Sequence, residues 1–328
     1  MTSKRALITG ISGQDGSYLA QALLEQGYEV LGILETGRSS SLWNLDYLGV
    51  LPRIRLLKAT LADSVEVQRL LLETKPSEIY SLAAQSSVSA SFREPALTMT
   101  TNTQPVLNWL EAIRSLNPSI RFYQASSSEM YGNVERACVT PTTLFNPISP
   151  YAVSKVAAHQ LVRAYRNAYD LYAVSGILFN HESALRKTGF FTRKLMDGAL
   201  GLASQQITAL SFGNLDVQRD FGYAPDYVQA MWLMLRQVEP EDHLICSGQS
   251  VSLKAIVSHV FQCLNISLDA LHIDASLYRP AEIQDIFGTP DYATSKLGWS
   301  SANNAFQTME RILEERLRMQ QRHQRLPA

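Results

Sequence analysis

Cysteine is scarce in this chain: three in 328 residues, Cys138, Cys246 and Cys263, widely spaced and with no C-x-x-C pair. An odd, scattered set of thiols argues against a disulfide framework and for reduced, inert cysteines in a cytoplasmic protein. An excess of charge of either sign is also lacking. Lys and Arg total 29 against 30 Asp and Glu, a net charge of −1, so neither nucleic acid nor an anionic membrane surface is expected as a partner. No apolar run approaches the ~20 residues of a membrane span. The start, MTSKRALITG, has too brief and too glycine-interrupted an apolar stretch for a signal peptide. Repeats and low-complexity linkers are absent, and no metal is expected.

What is present is ordinary globular material, 46% hydrophobic and 18% charged, with room for one large or two modest domains. Apolar runs at Ala6–Thr9, Glu29–Leu34, Ile54–Lys58, Glu78–Ala84, Arg121–Ser126 and Ala173–Phe179 read as strands. Amphipathic stretches at Tyr18–Gln26, Ser64–Thr74, Thr103–Ser115 and Tyr151–Tyr169 read as helices between them. This alternation predicts an α/β fold, a doubly wound parallel Rossmann sheet whose ligand loops follow the strand ends. Past Ser183 the pattern loosens into a smaller mixed α/β region, with helices near Phe190–Leu202 and Asp226–Gln237 and a short strand near Ala209–Phe212. The boundary falls at 183, dividing a regular part, 1–183, from a looser one, 184–328. The basic end, RILEERLRMQQRHQRLPA, reads as a solvated, fraying helix.

Two motifs carry chemistry. In TGISGQDG, between the first apolar run and a helical segment, Gly10 permits a tight turn, Gly13 lets backbone approach a pyrophosphate, and Gly16 lets helix and strand pack closely. The helix start then offers N–H groups to phosphate. In SPYAVSK, Tyr151 and Lys155 lie four apart and share a helix face. An ammonium beside a phenol lowers its pKa from ~10, which makes Tyr151 a candidate general base for a substrate hydroxyl. A third stretch, QASSSEMYGN at Gln124–Asn133, follows a strand and brings hydroxyls and one carboxylate.

The glycine spacing G-x-x-G-x-x-G together with Y-x-x-x-K resembles the extended, nucleotide-sugar-modifying branch of the short-chain dehydrogenase/reductase superfamily. Within it, QASSSEMYG, TGISGQDGSYL, LAAQSSV (82–88), GILFNHES (176–183), TRK (192–194), GNLDVQRDFG (213–222) and RPAEI (279–283) resemble blocks of the GDP-mannose 4,6-dehydratase family, collinear from residue 9 to the LGW at 297–299. The resemblance implies an NAD(P)-dependent dehydration of a GDP-hexose with four catalytic residues. Tyr151 would act as base on the 4-hydroxyl, with Lys155 lowering its pKa. Ser127 would hold the 4-oxygen, and Glu129 would take the C5 proton as water leaves C6. It further implies that segments near Tyr223–Gln237 and Phe287–Tyr292 return to the first domain, and that the protein is a homodimer or homotetramer.

The cofactor, NADP or NAD, would lie on Gly10, Ile11, Ser12, Gly13, Gln14, Asp15 and Gly16, on Glu35, Arg38 and Leu61, and on Leu82, Ala83, Ala84, Gln85 and Ser86, besides Tyr151, Lys155, His181 and Arg186. Substrate would meet Ser86, Ser127, Glu129, Asn180, Lys194, Arg219, Arg279 and Glu282. Charged, bidentate Arg219 and Arg279 suit a diphosphate. The chain departs from the family at its adenosine end. An arginine pair is replaced by Glu35-Thr36-Gly37-Arg38, and the loop carboxylate is lost at Ala59-Thr60-Leu61. Leu97 stands for a tyrosine and Ile148 for an arginine. A carboxylate at 35 opposes a 2′-phosphate and favours NAD. The alternatives are a GDP-4-keto-6-deoxy-mannose reductase consuming NAD(P)H, and an inactive nucleotide-binding sensor.

Overall fold

A computed structural model describes residues 4–37, 39–135 and 138–325. Its main sheet has seven parallel strands: β1 (Arg5–Thr9), β2 (Glu29–Glu35), β3 (Ile54–Ala59), β4 (Glu78–Ser81), β5 (Arg121–Ser127), β6 (Ala173–Leu178) and β7 (His243–Ile245). They run in the order β7-β6-β5-β4-β1-β2-β3, reversing direction of travel beside β1, where doubly wound sheets bind ligands beyond their carboxyl ends. The Rossmann expectation holds.

Strand pleating sorts the apolar runs onto two cores. Ala6 and Ile8 join the core formed with α1 (Gln14–Glu25) and with a helix over Ala224–Met234, whereas Leu7 joins the opposite one. That second core is closed by helices α2 (Ser64–Thr74), α3 (Pro95–Leu116) and α4 (Pro150–Tyr169), through Val67, Leu70, Trp109, Ile113, Ala158 and Val162.

Three expected elements differ, and one strand, β7, was not expected. The strand from Glu78 stops at Ser81, because the next two N–H groups, of Leu82 and Ala83, both donate to Thr9 Oγ1 at 3.0 Å and leave the ladder. Helix α3 starts at Pro95, eight residues before the expected Thr103, and continues through Pro105. The strand β7 is only three residues long, too short for a periodicity to show. The C-terminal helix, Ala305–Arg325, is not merely solvated: it buries Met309, Ile312, Leu313 and Met319 against the rest of the chain.

Beyond the main sheet, Gln218–Tyr223 pairs with Asn180–Glu182, Ser250–Ser252 and Asp285–Gly288. This small sheet carries Asn180, His181 and Arg219 to the strand-end side of β5 and β6. No described helix is long and apolar enough to cross a membrane.

Candidate active site

The first loop is shaped by close approach. Gly10 has φ +69°, and a Cβ there would sit 2.9 Å from Ala83 N; one on Gly16 would lie 2.3 Å from the Gly10 carbonyl oxygen. Only glycine fits either place. Gly13 precedes the first turn of α1, and no side chain caps it, so first-turn N–H groups and the positive dipole end face outward, as an anionic pyrophosphate requires. The residues present therefore fit a dinucleotide.

A buried network stands behind this loop. The His181 ring donates from Nδ1 to the Phe179 carbonyl at 2.7 Å, and its Nε2 meets Asp15 Oδ2 at 2.9 Å. Burial disfavours both charges, but each offsets the other: Asp15 is pulled down to about 2 and His181 is raised above its ordinary value. Gln14 donates to Asp15 Oδ1 and to the His181 carbonyl, and accepts from Ser183 Oγ. Arg186 pairs with buried Glu182 at 3.2 Å. The glycine-loop residues and the N-H-E-S block, far apart in sequence, thus form one unit.

Helix α4 supplies the Tyr–Lys pair. Ser149 caps it by accepting from Ala152 N at 3.1 Å, and Pro150 takes the first helical position, where its missing N–H costs nothing. Both Tyr151 and Lys155 are buried. Lys155 Nζ donates to the Ala125 carbonyl at 2.8 Å and lies 5.8 Å from the Tyr151 ring centroid. The expected lowering of the phenol pKa is not what this arrangement produces. Burial pushes Tyr151 up to about 12, against a smaller downward pull from the Ser127 hydroxyl. Burial also pushes Lys155 down to about 8, with Asp15 opposing. The ammonium is spent on a carbonyl rather than on the phenol, and desolvation dominates.

Ser127 ends β5, and its Oγ accepts from Glu129 N at 3.2 Å, opening a single 3₁₀ turn over Ser128–Tyr131. That turn places Glu129 among buried surroundings that raise its pKa, while the guanidinium groups of Arg219 and Arg279 hold it down. Arg219, itself buried, donates to the carbonyls of Gln218 and Ile283 at 2.7 and 2.8 Å and pairs with Glu282 at 2.8 Å; Arg279 reaches the same Glu282 oxygen at 3.1 Å. Asn180 sits opposite Phe221, two residues from Arg219 on the same strand. Lys194 stands apart, 5.0 Å over the Phe212 ring.

Glu35 closes β2 opposite Ala59, so the two segments that depart from the family lie side by side. Thr60 N donates to Glu66 Oε2, which brings a second carboxylate to that end. Arg38 lies outside the described residues. Leu61 is buried, and its carbonyl accepts from Asn108 Nδ2.

Several supporting residues escape sequence reasoning. Asn102, buried on α3, accepts from Gln85 N and donates to the Gln85 carbonyl and to Ser154 Oγ; Thr98 accepts from Gln85 Nε2. These bonds fix the loop Leu82–Ser86 against α4. Asn133 ties the 3₁₀ turn to the R-P-A-E block, donating to the Glu282 carbonyl and accepting from Gln284 N. Asn133 had a visible signal, as the last residue of QASSSEMYGN.

The family described as GDP-mannose 4,6 dehydratase matches residues 7–312. GDP-mannose 4,6-dehydratase of Vibrio cholerae is 38% identical over 355 residues, covering 98% of this chain and 95% of its own length. The Arabidopsis thaliana GDP-mannose 4,6 dehydratase 1 is 40% identical, covering 97% and 91%, and the human GDP-mannose 4,6 dehydratase is 40% identical, covering 90% and 86%. Among solved structures, dTDP-glucose 4,6-dehydratase from Bacillus anthracis in complex with NAD superposes with a TM-score of 0.86 at 18% identity, covering 97% of this chain and 98% of that one. UDP-glucose 4-epimerase from Thermotoga maritima does so at 0.84 and 22%, covering 97% and 99%. These two establish the fold.

Proposed function

The chain belongs to the GDP-mannose 4,6 dehydratase family, and from that premise we propose that it converts GDP-mannose to GDP-4-keto-6-deoxy-mannose at the strand end of β5. The observation that carries this is a half-buried carboxylate, Glu129, two residues from the Ser127 hydroxyl, facing Arg219 and Arg279 with a raised pKa. A carboxylate so disposed is suited to take a proton from carbon. A reductase has no use for one.

A nicotinamide cofactor would be held by the 10–16 loop, Leu82–Ser86 and the Asp15–His181 unit, and when bound would supply hydride acceptance at C4 and hydride return at C6. The chain's own groups do the rest. Ser127 hydrogen-bonds the 4-oxygen while Tyr151 takes the hydroxyl proton. The resulting ketone acidifies C5–H; Glu129 removes that proton while the C6 hydroxyl takes up a proton and leaves as water, and a solvent-exchanged proton is returned to C5. Arg219 and Arg279 bind the diphosphate, and Glu282 holds the two guanidiniums in place. Residues 1–183 serve the cofactor and 184–328 mainly the sugar nucleotide. The helix over Ala224–Met234 is an exception in packing on α1.

Net oxidation state does not change in this reaction. Substoichiometric NAD or NADP should therefore convert excess GDP-mannose, with the product lighter by one water by mass analysis. Lasting stoichiometric oxidation or reduction of cofactor would remove the dehydratase reading.

Cofactor choice is read from Glu35 and its neighbours. Two carboxylates, Glu35 and Glu66, at the ends of adjoining strand and helix oppose a dianionic 2′-phosphate, so the preference is for NAD. Glu35→Arg is expected to raise NADP affinity and shift the NADP/NAD ratio of kcat/KM upward by ~10-fold or more, about 1.4 kcal/mol for one charge-assisted contact. An unchanged ratio would mean that Glu35 does not face the ribose.

A further inference from the structure

Far from the strand ends, a helix over Leu253–Cys263 packs on the C-terminal helix, Ala305–Arg325, through Ile256, Val260, Met309 and Ile312. At the solvent edge of this seam His259, Cys263 and Glu310 converge. His259 and Cys263 are one turn apart on one helix, and Glu310 comes from the other. His259 Nε2 lies 2.9 Å from Glu310 Oε1 and 3.8 Å from Cys263 Sγ. All three ligand atoms are within 4.8 Å of one another. The His259 ring is fixed by packing against Phe306 at 4.8 Å.

Hydrogen bonding alone leaves this cluster half used. The Nε2 position carries at most one proton, and it is faced by both a carboxylate oxygen and a sulfur. A cation answers all three donors at once. With bonds of ~2.0–2.3 Å, a tetrahedral zinc ion separates its ligand atoms by roughly 3.3–3.8 Å. The two distances to Nε2 bracket that range, so small side-chain rotations suffice. Imidazole, thiolate and carboxylate together suit zinc better than calcium or magnesium. Glu310 is half exposed and Cys263 exposed, which gives an ion a way in and leaves a fourth position for water.

We propose that His259, Cys263 and Glu310 form a zinc-type site that clamps the C-terminal helix to the helix over Leu253–Cys263. The ligands come from two helices, Glu310 lying 47 residues after Cys263 in sequence, which is why their spacing forms no recognisable metal motif. The clamp has a consequence for the fold, since the C-terminal helix also packs against the Gln218–Tyr223 strand that carries Arg219.

The test uses the full chain, stripped with a chelator and titrated with Co²⁺. One equivalent should bind with a thiolate-to-cobalt charge-transfer band in the near ultraviolet, displaced by Zn²⁺. Cys263→Ser should abolish the band, and His259→Gln and Glu310→Gln should each weaken binding by ~10-fold or more. Zn²⁺ should raise the melting temperature of the parent protein but not of a variant carrying all three changes. All variants, having changes near the surface and away from β5, should keep metal-free turnover of GDP-mannose, which controls for folding. A band that survives Cys263→Ser, or equal affinity in the parent and the triple variant, would overturn the assignment.

Discussion

Glu129→Gln is expected to lower turnover of GDP-mannose by ~10²–10⁴-fold while substrate binding, measured by calorimetry or equilibrium dialysis, is retained. The amide keeps the size of the side chain and some of its hydrogen bonding but cannot accept a proton from C5. The environment makes this carboxylate a stronger base than a free one, because burial raises its pKa and Arg219 and Arg279 only partly restore it. The sign for pH follows. A base works when deprotonated, so activity should fall as pH drops through the Glu129 pKa, and that acid limb should lie above the ordinary carboxylate range. The variant's residual rate should lack the limb. Run in heavy water, the parent enzyme should place deuterium at C5, since the removed proton exchanges before one returns. Full activity in Glu129→Gln, or a product without that label, would take Glu129 out of the chemistry and favour the reductase reading.

How much of this was legible in the residues depends on whether the deciding contacts are local. The strand and helix pattern of the first half was, because pleat and helical period act over a few residues. So were the glycine loop and Tyr151/Lys155, whose geometry is set within one turn. The start of helix α3 is hidden because its first turns, Pro95 to Pro105, are rich in threonine and bounded by prolines, which reads as a break. In fact Thr98 and Asn102 turn inward to serve Gln85, a use that no helical periodicity announces. The strand β7 and the pairing of Asn180–Glu182 with Gln218–Tyr223 are three-residue alignments made by distant chain. The pKa of Tyr151 is hidden for a related reason. The spacing fixes that Lys155 is near, but only the folded surroundings reveal that its ammonium binds the Ala125 carbonyl and that desolvation sets the phenol pKa.

That last point governs the second large effect. Tyr151→Phe is expected to reduce kcat by ~10²–10⁴-fold, with the ring still seated on α4 and the binding of GDP-mannose little changed. With the phenol at about 12, only ~10⁻⁴ of it is ionised at pH 8, each unit corresponding to about 1.4 kcal/mol. Positive charge near the phenol is therefore needed to bring the pKa down as the 4-hydroxyl is deprotonated, and Lys155, although its ammonium donates to the Ala125 carbonyl in this structure, is the cation one helical turn away. Burial has lowered Lys155 to about 8, so it is charged through neutral pH and discharges above. The kcat/KM of the parent enzyme should consequently fall on the alkaline side with an apparent pKa near 8. If Lys155 acts through Tyr151, the residual rate of Tyr151→Phe should be flat across that range, because there is no phenol left to tune. A limb near pH 8 that persists in Tyr151→Phe would show the Lys155 charge acting directly on cofactor or substrate. A variant keeping more than ~10% of parental kcat would place the base elsewhere, since general base catalysis is worth more than that.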